Sequence, residues 1–139
     1  MRYIIRIKYF IIFIFIISLF SCQKAKQTKI IGTWVNQPMS NTTVEVEGEQ
    51  LWIFDASSNI TVKDVGTDND TIYNGIYSMS SKNMGISGYY IQITNVNGIL
   101  DGKYKIKQLD GSKLSLHRIE LANGNTAGAF LWREFLKKK

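Results

Sequence analysis

Residues 102–121 read Gly-Lys-Tyr-Lys-Ile-Lys-Gln-Leu-Asp-Gly-Ser-Lys-Leu-Ser-Leu-His-Arg-Ile-Glu-Leu. Tyr104 and Ile106 fall on one side of an extended chain, and Lys103, Lys105 and Lys107 fall on the other. Leu114 and Leu116 oppose Ser115 and His117 in the same way. Alternation with a period of two belongs to a strand with one wet and one apolar face, the usual state of an antiparallel sheet curled over its own core. Between the two runs lies Leu109-Asp110-Gly111-Ser112, whose Asp and Gly tolerate the backbone angles of a hairpin. The segment therefore predicts strands over 102–109 and 112–121 joined by a tight turn.

The same pattern continues in both directions. Val44 and Val46 oppose Glu45, Glu47 and Glu49, and Ile60 and Val62 oppose Thr61 and Lys63. Asp55 to Asn59 reads as another hairpin loop. Further runs rich in Ile, Val, Tyr, Trp and Thr predict strands over 30–36, 43–48, 50–56, 59–65, 71–79, 88–96 and 127–136. The only proline is Pro38, so Gly, Asn, Asp and Ser supply the punctuation. The one helical candidate is a short turn at Ser78–Met84, ended by Gly85. Leu51-Trp52-Ile53-Phe54 and Phe130-Leu131-Trp132 are apolar on both faces, which places them where the sheet is covered or where its outer face meets a partner. The expectation is an all-β, antiparallel up-and-down meander, closed into a barrel or split into a two-sheet β-sandwich.

The chain begins differently. Residues 1–8 hold Arg2, Arg6 and Lys8 and no acid, and Tyr9 to Phe20 form an apolar run interrupted by Ser18. A charged start and an apolar stretch of this length read as a signal peptide over 1–21. Twelve residues of helix span only about 18 Å, short of a bilayer's hydrocarbon core. Leu19-Phe20-Ser21-Cys22 resembles the lipobox of bacterial lipoproteins. The resemblance implies cleavage before Cys22 and acylation of its sulfur, with palmitate-like chains, and hence a membrane anchor. Two or three chains at about 0.8 kcal/mol per buried CH₂ hold stably. Gln23 to Lys29 is polar and reads as a tether, giving a lipidated Cys and flexible linker over 22–29. Gln23 and the lack of an acidic run point to an outer-membrane anchor facing the periplasm.

Ile30-Ile31-Gly32-Thr33-Trp34 opens the folded part. Its Gly-x-Trp at the first strand resembles the lipocalins. Leu51-Trp52-Ile53-Phe54, Gly75-Ile76-Tyr77, Tyr104-Lys105-Ile106 and Lys113-Leu114-Ser115-Leu116 look like the short lipocalin-like lipoproteins of the Bacteroidetes type. That resemblance, over about 29–136, implies a lipocalin-like eight-stranded barrel domain at 30–136, followed by a basic tail at 137–139. It also implies that Trp34 closes one end under an Arg of the last strand, Arg133, with Arg118 the other arginine after the leader.

Such a barrel either fills with side chains or holds one small ligand. Trp34, Trp52, Tyr77, Tyr89, Tyr104 and Trp132 are the candidate ligand-binding residues, with Ile53, Ile91, Ile106 and Leu116 beside them. The alternative for the same residues is plain core. Asp64, Asp68 and Asp70 lie close in sequence, but their order is not that of an EF-hand loop, and a solvated hairpin loop is the simpler reading. Asp70-Thr71-Ile72 resembles a short O-glycosylation motif. One His and one Cys leave no usual zinc site and no internal disulfide. His117 is expected to face solvent; it has no Gly-x-Ser-x-Gly turn to serve, and no phosphate loop is present. No metal, cofactor or catalytic residue is expected, and the chain is not read as an enzyme. The net charge of +6 is halved when Arg2, Arg6 and Lys8 leave, so it argues weakly for nucleic acid, and none is expected as a partner.

The expected function is non-covalent binding of a small apolar or amphipathic molecule inside the barrel. The alternative is a structural or interaction module with a filled core, acting through its outer surface.

Overall fold

Strand formation begins where the alternation is cleanest and runs through the whole described chain. The computed structural model describes residues 25–37, 49–66, 70–82, 88–128 and 131–139. A short helix, α1, covers 25–30. Eight strands follow: β1 Gly32–Gln37, β2 Glu49–Phe54, β3 Asn59–Val65, β4 Thr71–Ser81, β5 Tyr89–Thr94, β6 Gly102–Leu109, β7 Lys113–Leu121 and β8 Trp132–Lys137. Each pairs antiparallel with the next, and β1 pairs with β8, so the sheet is a closed up-and-down barrel and not a sandwich. The strand expected over 43–48 lies outside the described residues, as do the lipobox and Cys22.

Two local expectations need correction. Ser78 to Ser81 continue β4 and do not turn into a helix. Their Cα partners Gln92, Ile91, Tyr90 and Tyr89 on β5 give that stretch a ladder to join, and pairing outweighs local turn preference. The helix lies instead at 25–30, over most of the stretch read as a flexible tether and over Ile30, the expected start of the first strand. Its polar side chains hide the signal, because the helix is held by contacts with the barrel. Lys26 Nζ donates to the Leu109 carbonyl at 3.4 Å and stands 5.8 Å from the Tyr89 ring centroid, and Ile30 is fully buried.

A meander has two ends. One, the helix end, carries α1, the turns 55–58 and 110–112, Lys82, Gly88 and the C-terminus. The other, the far end, is where β1, β3, β5 and β7 end.

The inward positions follow the parity read from sequence. Trp34, Trp52, Phe54, Ile60, Val62, Tyr77, Ile91, Ile93, Tyr104, Leu114, Leu116 and Phe135 form one buried cluster. Trp52 is its hub, with ring centroids of Phe135 at 5.0 Å, Tyr104 at 6.1 Å and Phe54 at 6.3 Å. Burying such side chains stabilises the fold by about 1.5–3 kcal/mol each before entropy is counted. Lys103, Lys105 and Lys107 sit on the outside, as their alternation requires. At Gly75 the packing is closest: a Cβ there would come within 2.5 Å of the Thr94 carbonyl oxygen and of Val96, so only glycine lets β4 and the end of β5 meet.

Candidate functional site

Of the six aromatic candidates, four lie inside the barrel. Trp34, Trp52, Tyr77 and Tyr104 are all buried. Tyr89 is half-buried at the helix end, with Lys26 beside its ring. Trp132 is on the outside, stacked on His117 at 4.6 Å and 11°. Parity explains this: Phe135 points in, so Trp132, three residues earlier on β8, points out.

The polar atoms of the four interior aromatics are all engaged by the chain itself. Trp34 Nε1 donates to the Ile30 carbonyl at 2.7 Å and Trp52 Nε1 to Gln50 Oε1 at 2.9 Å. Tyr77 Oη donates to the Asp55 carbonyl at 2.7 Å and Tyr104 Oη to the Leu100 carbonyl at 2.5 Å. Burial pushes both phenols above their ordinary pKa, so both stay protonated donors at neutral pH.

The expected Trp34–Arg133 closure is replaced by another. Lys137 Nζ stands 5.1 Å from the Trp34 ring centroid and donates to the carbonyls of Ile31 at 2.9 Å and Lys29 at 3.3 Å. Register is the cause: Trp34 pairs with Lys137 across the β1–β8 seam, and Arg133 lies four residues, about 13 Å, further along β8. Lys137 thus belongs to β8 and not to a free tail, and Lys138 Nζ approaches Glu49 at 3.8 Å. Arg133 covers Trp52 instead, 5.5 Å from its centroid, and Nη1 donates to Gln50 Oε1 at 3.2 Å. Gln50 Nε2 continues to Asp64 Oδ1 at 2.7 Å. Burial lowers the Arg133 pKa, and the charge of Arg118 adds to that, while Tyr104 and Asp64 oppose it.

Arg118 has a role that its sequence position does not announce. It is 8% exposed, points into the barrel and lies 5.8 Å from the Tyr104 ring. Its Nη1 and Nη2 donate to the carbonyls of Ile99 and Asp101 in the 95–101 loop. Asp101 accepts from the amides of Asn95, Val96 and Asn97, and Asn97 Oδ1 accepts from Ile99 and Leu100. The result is a hydrogen-bonded plug over part of the far end. Arg118 Nε is buried without a hydrogen-bond partner, facing Gly102, where a Cβ would stand 3.0 Å from it.

The remaining sequence candidates do not converge. Asp70 pairs with Lys63 at 2.5 Å, Asp64 is held by Gln50, and Asp68 lies outside the described residues. Among the described residues no three His, Cys, Asp or Glu side chains gather as a metal site. His117 does point outward, yet Trp132 covers it, and its Nε2 is buried with no hydrogen-bond partner.

Among the described residues, two cavities of about 330 Å³ open to the outside. One is lined by Ser80, Ser81, Lys82, Tyr90, Lys103 and Ile119. The other opens along Gln37, Gln108, Lys113, Ser115, Glu134 and Leu136 and reaches Leu114 and Phe135 of the buried cluster. Sequence reasoning passed over Tyr90, although adjacent Tyr89 and Tyr90 cannot both face inward on a strand. No protein-family model matches this chain, and no curated protein matches it.

Proposed function

We propose that this chain is a non-enzymatic envelope lipoprotein, anchored through acylated Cys22 at the periplasmic face of the outer membrane. Its lipocalin-like barrel serves as a filled scaffold that meets its partner with the outer surface. One observation carries the choice. The interior rings pack on one another, and each of their polar atoms is already satisfied by the chain. A ligand site keeps a few polar groups in waiting, and the four interior aromatics have theirs engaged.

The other reading, an apolar or amphipathic molecule inside the barrel, draws on Arg133. Its guanidinium lies over Trp52 and donates to Gln50, and its positive charge would attract an arriving anion. Native mass spectrometry of the full chain, extracted in mild detergent, separates the two. The scaffold reading expects the acylated mass alone, with the acyl increment absent from Cys22→Ser and that variant released from membranes. An adduct of a few hundred daltons, lost on denaturation and weakened in Arg133→Gln, would establish the interior reading instead.

A further inference from the structure

The outer face of β4 to β8 carries one lateral row, set by register: Ser80, Tyr90, Lys105, His117 and Trp132 are successive cross-strand partners. Three rings and a lysine thus lie side by side across five strands. Two more lysines are fixed against the rings. Lys103 Nζ is 5.6 Å from the Tyr90 centroid, and Lys107 Nζ is 5.2 Å from that of Trp132. Lys103 stands opposite Glu120 in register, and still its ammonium rests on Tyr90. Such contacts hold the charges in place without neutralising them.

The first of the two outer cavities opens beside this row. Its lining combines hydroxyls from Ser80, Ser81 and Tyr90, ammonium groups from Lys82 and Lys103, and an apolar edge from Ile119; among the described residues no carboxylate lines it. A volume of about 330 Å³ sits at the low end of small-molecule sites. Hydroxyls and an aromatic edge suit a polyhydroxylated ring, with its polar rim and apolar C–H face. The two ammonium groups call for a negative substituent on that ring. We propose that this groove binds an acidic sugar unit, carboxylated or phosphorylated, of an envelope glycan, and that the aromatic–lysine row extends the contact along the chain of sugars. The proposal rests on the surface-acting reading above and names its partner.

The test is calorimetric titration of the full chain in detergent micelles with a hexuronate oligosaccharide. A sugar phosphate, a neutral oligosaccharide of equal length, inorganic phosphate and a single-stranded oligonucleotide are run in parallel. The acidic sugars should bind, and the neutral one should bind at least about tenfold more weakly, the loss expected when a charge-assisted hydrogen bond goes. Lys103→Gln with Lys82→Gln should weaken the acidic sugar by a similar factor. Lys63→Gln, on another part of the outer face, should leave it unchanged, and unaltered circular dichroism shows that each variant folds. Equal binding of neutral and acidic sugars, equal binding of free phosphate, preference for the oligonucleotide, or no binding at all would overturn the proposal. Failure here with no lipid adduct by mass spectrometry removes only the sugar assignment; a lipid adduct removes the surface reading itself.

Discussion

Arg118 brings a positive charge into the barrel and, among the described residues, meets it with carbonyl oxygens and no carboxylate. Hydrogen bonds to a charged group contribute about 1.5–3 kcal/mol each, and an orphaned partner costs as much again in lost solvation. Arg118→Met should therefore destabilise the protein by about 3 kcal/mol in a denaturant titration, since two loop carbonyls lose their donor. Tyr104→Phe, which frees one of the loop's carbonyls, should cost about 1 kcal/mol by the same measurement. Amide exchange at Leu100 and Asp101 should rise in both variants and remain slow at Ile60 and Val62. At this scale the sequence was legible by parity and illegible by contact. Alternation placed Trp52, Tyr77 and Tyr104 inside. The Trp34–Arg133 pair failed because it depends on how far β8 slides along β1, and a slide of four residues leaves the alternation unchanged.

Among the elements, the β6–β7 hairpin shows how a turn residue sets a strand pair. Asp110 accepts from the amides of Ser112 and Lys113, from the Ser112 hydroxyl and from Gln108. Those bonds, the backbone ones first, hold its carboxyl well below the ordinary 3.8. A folded-state pKa below the unfolded one stabilises above the unfolded pKa, and the gain fades as pH falls toward the folded value. The thermal midpoint of the wild type should thus exceed that of Asp110→Ala at pH 7, and the gap should narrow steadily below about pH 4. A gap that is constant with pH would show that the carboxylate charge has no part in the turn. Asp55 works alike in the 55–58 turn, bonded to Asn59 and Ser57. Both turns were readable in advance, because Asp-Gly and Asp-x-x-x-Asn patterns act within a few residues. The helix at 25–30 was not, since its support comes from Leu109 and Tyr89, distant in sequence.

For the whole molecule the decisive seam is β1 with β8. It joins four residue pairs, Trp34 with Lys137 through Gln37 with Glu134, and Lys137 reinforces it with bonds to Ile31 and Lys29. Lys137→Ala should lower stability by about 1–3 kcal/mol, measured by denaturant titration, through two charged hydrogen bonds and a ring contact. Closure itself was only half legible, because alternation is the same in a barrel and in a sandwich until the last strand finds the first. That seam also has a temporal meaning. Every other pairing joins neighbours along the chain, whereas Lys137 and Ile31 are separated by 106 positions. Drawing such distant segments together costs loop entropy that the local hairpins do not face, so the order we expect is hairpins first and the seam last, past the rate-limiting barrier. A seam variant should then accelerate unfolding while leaving the refolding rate nearly untouched, so that the last bond to form is the one that governs how long the barrel stays shut.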